Sequence, residues 1–246
     1  MNGLVVGLMA CFGLVVAGGA AMVLVHRRHL REWRRQQGHG RPWRRVDERG
    51  RRGWPLPLPR RWMAIRSSNT VHVRAALGVA DAPVPWSSAM ERAGEDRLFV
   101  SGPAMGWTLV VGGGLPDAAQ DVDALYRFLT GASRELGEVQ YFAMDRVLGF
   151  HAWARLRDGQ VLRGYAWAGT TEWNEGRMTM DERLLELRCH GYGEERPPGY
   201  VGQAGPELDN SERVPLLARR WGIDLTEALE VLLRGDALER GGGAGE

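Results

Sequence analysis

Residues 3–25 form an unbroken apolar stretch that contains no charged side chain. As a helix, these 23 residues rise about 1.5 Å each and extend roughly 34 Å, enough to cross a hydrocarbon core of about 30 Å. The stretch therefore predicts a transmembrane helix. It requires any folded domain to lie beyond it, on one side of the bilayer.

A cleaved secretory signal is the main alternative to a retained anchor. Such signals start with a basic region and have an apolar core of about 7–15 residues. Met1 and Asn2 bring no basic side chain, and the apolar run continues past the small residues 17–21 to Val25. We therefore expect a retained anchor. A buried helix of a soluble domain is the third interpretation.

The arginines that follow the apolar stretch indicate its orientation. Positive side chains within about 15–20 residues of a membrane span mark its cytoplasmic side. This predicts a single pass of the inner (cytoplasmic) membrane, with the N-terminus outside and the remaining chain in the cytosol. The arginines expected at the membrane surface are Arg27, Arg28, Arg31, Arg34 and Arg35.

The basic residues of the chain are all arginine, 32 in number, and lysine does not occur. This bias is typical of a GC-rich, bacterial genome. Arginine abundance is then weak evidence for nucleic-acid binding, and we expect no nucleic-acid partner. The two cysteines, Cys11 and Cys189, lie in the anchor and in the domain, so they cannot form a disulfide bond with each other. The lack of a disulfide framework is expected in a reducing compartment.

Charge is divided between two parts of the chain. Residues 26–61 hold 13 arginines against three acids, a net charge of +10, whereas residues 62–246 hold 19 arginines against 27 acids, a net charge of −8. The first part is rich in Pro and Gly and is predicted to be a juxtamembrane tether. Its cations favour anionic lipid headgroups by about 1 kcal/mol each. A lipid-surface module driven by this tether is therefore one candidate function.

Residues 62–210 show the pattern of an α+β domain. Short turns between strands predict a mainly antiparallel sheet with helices on one face, in the order strand, helix, two strands, helix, three strands. A C-terminal helical hairpin over 211–240 is expected to pack on or beside this domain, before a disordered tail, 241–246. Asn69 or Ser68 can begin one helix, and Asp121 and Gly137 can bound another over 122–136.

Asp158-Gly159 predicts a tight hairpin between strands 150–157 and 160–167. In a two-residue register, Leu156 faces Val161, Ala152 faces Tyr165 and Phe150 faces Trp167. We expect those pairs to be buried. The opposite face would then be exposed and carry His151, Trp153, Arg155 and Arg157.

Two patches are the candidate binding site for a protein or peptide. They are chosen because aromatic and arginine side chains are enriched at interface hot spots. The first is the hairpin face, and the second is the segment from Trp167 to Trp173 at the end of a strand. The candidate residues are His151, Trp153, Arg155, Trp167, Glu172 and Trp173.

The signals for catalysis are weaker. Gly112-Gly113-Gly114 precedes a helix, but no lysine follows and acids crowd the helix start, so we interpret these glycines as structural. Cys189, with His190 and His151, lacks the ligand spacing of a metal site. We predict no catalytic residue, metal or cofactor. Carboxylates near Trp173 keep a membrane-tethered hydrolase open as an alternative.

Three segments of the chain resemble uncharacterised bacterial proteins of high-GC lineages. These are residues 61–69, 121–129 and 165–169. The resemblance implies no activity and transfers no functional residues. The sequence as a whole predicts a membrane-anchored binding module in a bacterial immunity or envelope-associated system.

Overall fold

The computed structural model describes residues 58–81, 83–194 and 206–242, with only the backbone described at residues 206–209 and 237–242. These residues belong to the second of two compact units, Trp54–Glu246. The predicted anchor at 3–25 and nearly all of the predicted tether lie outside the described residues. Within the described ranges, no helix is both long enough and apolar enough to span a bilayer.

The described chain folds into seven strands and six helices. The strands are β1 (Arg61–Ile65), β2 (Phe99–Ala104), β3 (Trp107–Val111), β4 (Glu138–Asp145), β5 (Phe150–Arg157), β6 (Gln160–Trp167) and β7 (Thr171–Glu175). The helices are α1 (Thr70–Ala76), α2 (Trp86–Glu91), α3 (Val122–Leu136), α4 (Met180–Leu184), α5 (Pro206–Arg220) and α6 (Leu225–Gly242).

All seven strands form one sheet in the order β2-β3-β1-β4-β5-β6-β7. Every neighbouring pair is antiparallel. The predicted α+β class with an antiparallel sheet is therefore confirmed.

The prediction that the helices lie on one face of the sheet is wrong. Successive residues of β1 belong to different cores: Trp62 packs with α2, α5 and α6, whereas Met63 packs with α1 and α3. Because strand side chains alternate between faces, the two cores lie on opposite sides of the sheet. An apolar helix stripe shows that a helix is covered, but it does not show which face of the sheet covers it.

The helix boundaries follow the capping residues seen in the sequence. The Asn69 side chain accepts a hydrogen bond from the backbone N–H of His72 at the start of α1. Asp121 accepts one from Ala124 at the start of α3, and Gly137 ends that helix with a positive φ of 81°. These local signals are confirmed.

The β5–β6 hairpin forms where predicted, but its register is different. Asp158 and Gly159 both have positive φ, as a tight turn of this type requires. Leu156 pairs with Val161 as expected, and then a β-bulge shifts the pairing by one residue. Trp153 therefore lies opposite Tyr165. Ala152, for which Tyr165 was predicted, lies opposite Ala166.

Two elements are missing from the order predicted from the sequence. β7 forms the edge of the sheet beyond β6, with Thr171 and Trp173 buried at alternate positions. α2 buries Trp86 and Ala89 against the core that also contains α5. In addition, α5 begins at Pro206, before the predicted start of the helical hairpin at residue 211.

The chain enters the sheet through residues predicted to belong to the tether. Leu58 packs against the core, Pro59 is buried, and the backbone carbonyl of Arg60 accepts a 2.8 Å hydrogen bond from Met144. Arg61 donates to the carbonyl of Leu115 and lies 3.6 Å from a carboxylate oxygen of Asp117. The guanidinium group of Arg61 is therefore bound within the folded domain.

Candidate functional site

The predicted hairpin face is an interior surface. His151 and Trp153 are both fully buried, so the expectation that this face is exposed is wrong. The reason is the second helical layer: α5 packs across β4 and β5, and its Ser211 donates a hydrogen bond to the carbonyl of Phe150. These two side chains are therefore covered by the fold itself.

His151 has a hydrogen-bonding partner at each ring nitrogen. Nδ1 lies 3.2 Å from the carbonyl of Gly149, and Nε2 lies 3.1 Å from the side-chain nitrogen of Asn210. A carbonyl requires a donor and an amide nitrogen supplies one, so the neutral ring with its proton on Nδ1 satisfies both contacts. Burial lowers the pKa of His151 to about 3. Its imidazole links β5 to α5.

A buried ion pair lies beside this histidine. Arg163 Nε donates to Glu182 Oε1 at 2.8 Å, and the indole N–H of Trp153 donates to the same oxygen, also at 2.8 Å. The other oxygen of Glu182 accepts from the backbone of Thr179 and completes a capping box at the start of α4. The carboxylate therefore fixes α4 against the sheet.

The remaining donors of Arg163 hold the adjacent strand and the chain after α4. Its Nη1 donates to the side chain of Asn174 at 2.8 Å and to the carbonyl of Glu175 at 3.0 Å. Its Nη2 lies 3.2 Å from Cys189 Sγ. Burial raises the pKa of the Cys189 thiol to about 12, which disfavours the thiolate that a catalytic cysteine needs.

The other predicted site residues are dispersed. Arg155 pairs with Glu138 at 2.8 Å on a partly exposed part of the sheet. Trp167 is buried with its ring 4.8 Å from that of His190. Trp173 is buried on the opposite face of the sheet, whereas Glu172 is partly exposed and accepts from Thr170. These residues do not form one surface.

Three carboxylates that could take part in acid–base chemistry each have a different partner. Asp145 pairs with Arg60, Glu175 accepts from the indole of Trp173, and Asp181 lies 3.6 Å from Arg220. Across the described ranges, no three His, Cys, Asp or Glu side chains are placed to hold a metal ion.

The three glycines at 112–114 pack against the backbone of a neighbouring segment. Gly113 N–H donates to the carbonyl of Glu95 and Gly114 N–H donates to that of Arg97. A Cβ on Gly112 would lie 2.0 Å from the carbonyl oxygen of Arg97. These glycines permit a close backbone approach, and two of their N–H groups are already bonded.

Exposed apolar side chains lie on α4 and α5, two helices that contact each other. They are Met180 and Leu184 on α4 and Leu216 on α5, and we call this set the α4–α5 surface. Met180 and Leu184 are four residues apart and so share a helix side. Leu216 lies between Arg213 and Arg220 along α5.

The arginines on either side of Leu216 are held against α4. Arg213 donates to the carbonyl of Leu185 at 2.8 Å, and Arg220 lies 3.6 Å from Asp181. Both guanidinium groups stay partly exposed. The surface therefore combines apolar side chains with arginines that are already positioned, a composition found at the centres of protein interfaces.

The α4–α5 surface is not among the sites predicted from the sequence. One signal was present: Met180 and Leu184 follow Thr179, with Glu182 three residues after it, the pattern of a capping box. That pattern predicts a short helix whose apolar positions 180 and 184 lie away from the buried Glu182. The packing of α5 beside it depends on contacts distant in sequence.

Comparisons of the chain with models of protein families, with curated proteins and with solved structures give no match.

Proposed function

We propose that this chain is a single-pass membrane protein whose cytosolic α+β domain binds a partner protein or peptide at the α4–α5 surface. The observation that carries the proposal is the exposure of Met180, Leu184 and Leu216, with arginines on either side of Leu216 that are already held by hydrogen bonds and ion pairs. Side chains held in place lose less conformational entropy on binding, which favours affinity.

The anchor in this proposal comes from the sequence. The 23 uncharged residues at 3–25 and the net charge of +10 behind them support a retained helix with the domain in the cytosol. A partner in a bacterial immunity or envelope-associated system would then meet the domain at the inner face of the membrane.

The residues proposed to contact the partner differ from those predicted from the sequence. His151, Trp153 and Arg163 support the binding surface indirectly, because the ion pair of Arg163 with Glu182 fixes α4 in position. Leu184 and Leu216 would make the direct contacts.

Site-specific photocrosslinking tests this proposal. The full chain is expressed in its native membrane with p-benzoylphenylalanine in place of Leu184. We expect a discrete covalent adduct with one partner, and we expect Leu216→Asp to remove it, because a carboxylate in the apolar centre of an interface is costly.

The matched control carries the same photoreactive residue at Val231, which is exposed on α6. The same adduct from both positions, or no adduct from Leu184, would contradict binding at the α4–α5 surface.

A further inference from the structure

The end of the sheet at which the chain enters carries a second exposed apolar feature. β1 begins there with Arg61, β4 ends there with Asp145, and β5 begins there with Phe150. The turn between β4 and β5, residues 145–149, therefore lies beside the point where the 57 preceding residues join the described fold.

One carboxylate joins the turn to this entry point. Asp145 Oδ1 accepts hydrogen bonds from the backbone N–H groups of Val147 at 2.9 Å and Leu148 at 3.1 Å. Its Oδ2 pairs with Arg60. The turn is thus held in one conformation and in one position relative to the arriving chain.

The tip of this turn is apolar and open to solvent. Val147 is 92% exposed, more than any other large apolar side chain among the described residues, and Leu148 is about half exposed. Arg146 is exposed next to them, and Arg60 is largely exposed. Apolar tips flanked by arginines suit the bilayer interface, where the apolar groups enter and the guanidinium groups stay among the headgroups.

We propose that the β4–β5 turn contacts the lipid bilayer, with Val147 and Leu148 inserted at the level of the headgroups. This inference rests on the anchor in the proposed function, since the tether that follows the anchor delivers the domain at Leu58–Arg60. The turn lies beside the residues at which the tether joins the fold, because Asp145 pairs with Arg60. Contact here would orient the domain relative to the membrane.

Fluorescence of the full chain in phospholipid vesicles tests the proposal. A Cys11→Ala chain with Val147→Cys is labelled with an environment-sensitive dye. Cys189 stays native because it is partly buried and its raised thiol pKa disfavours the reactive thiolate. The Cys11→Ala chain alone measures residual labelling. The matched control is Val71→Cys on α1, a valine that is 77% exposed near the other end of β1.

We expect the dye at position 147 to be at least twofold brighter than at position 71. Nitroxide-labelled lipid should quench it, and aqueous iodide should not. The dye at position 71 should show the opposite preference. The tryptophan emission of each variant checks that the fold is retained.

The possible failures are distinguishable. Quenching of both dyes by iodide, in a chain that floats with the vesicles, overturns the lipid contact and leaves the anchor standing. A dye at position 147 that is shielded from iodide but not quenched by labelled lipid shows that a protein or a second copy covers the turn, and this also overturns the proposal. A chain that does not float overturns the anchor and the lipid contact together.

Discussion

His151 is a titratable side chain that the fold holds without charge. Its two hydrogen bonds need a neutral ring, and its ring stacks on Trp153 at 5.6 Å and on Tyr165 at 5.9 Å. Protonation at Nε2 would place a hydrogen against the amide nitrogen of Asn210. The residue therefore links the stability of the domain to pH.

We predict that the free energy of unfolding decreases as the pH falls below about 6.5 and continues to decrease towards pH 3. The folded pKa of His151 is about 3, so between these values the unfolded chain binds a proton that the folded chain excludes. The slope contributed by this one group is up to about 1.4 kcal/mol per pH unit.

Denaturant titration of the full chain in detergent micelles, at several pH values, checks this prediction. His151→Phe removes the titrating group and should flatten the slope by that amount, although the variant is less stable at neutral pH. Equal slopes in the two proteins would show that His151 is not the source of the acid sensitivity.

Glu182 and Arg163 form a pair in which both charges are buried. Glu182→Gln removes one of them and leaves the guanidinium without a counter-charge. We expect the free energy of unfolding to fall by about 3–5 kcal/mol, the usual cost of breaking a buried pair from one side. Equilibrium unfolding measures the change. The control is Glu230→Gln, which disrupts an exposed pair with Arg234 and should leave the free energy of unfolding unchanged. A similar loss of stability in both variants would contradict a special role for the buried pair.

At the scale of elements, local patterns predicted more than long-range ones. The bounds of α3, β5 and β6 agree with the sequence-based prediction, because caps, a turn pair and apolar spacing all lie within those segments. The bulge in the hairpin and the edge strand β7 were missed. Both depend on partners across the sheet, such as the packing of Trp173 against Gly164.

The candidate site was harder to predict for the same reason. The alternation in β5 correctly placed His151 and Trp153 on one face of the sheet and Ala152 on the other. Whether the first face is buried depends on α5, which lies about 60 residues later in the chain. The exposed surface at α4 and α5 likewise arises from two distant elements.

Two glycines test the account of packing between β6 and β7. A Cβ on Gly164 would lie 2.4 Å from the Trp173 ring, so Gly164→Ala should displace the ring and cost about 1–3 kcal/mol of stability. Gly131 lies within α3 with open space around its Cβ position, and Gly131→Ala should stabilise the domain by about 0.5–1 kcal/mol. Thermal unfolding of both variants measures these changes. A Gly164→Ala variant as stable as the parent chain would refute close packing at Gly164.

At the scale of the whole molecule, a predicted anchor and a basic tether precede the folded domain. The basic charge is concentrated at 26–61, and the rest of the chain carries a net charge of −8. An acidic domain is not itself drawn to an anionic membrane, so the anchor and tether would have to hold it there. Both proposed surfaces depend on this placement.

Protease protection of the full chain in bacterial spheroplasts tests this placement most directly. With a retained anchor and a cytosolic domain, the chain should sediment with membranes, resist alkaline extraction, and survive external protease as an intact domain until the membrane is permeabilised. Degradation of the domain in sealed spheroplasts, or its release by alkaline extraction, would contradict the account.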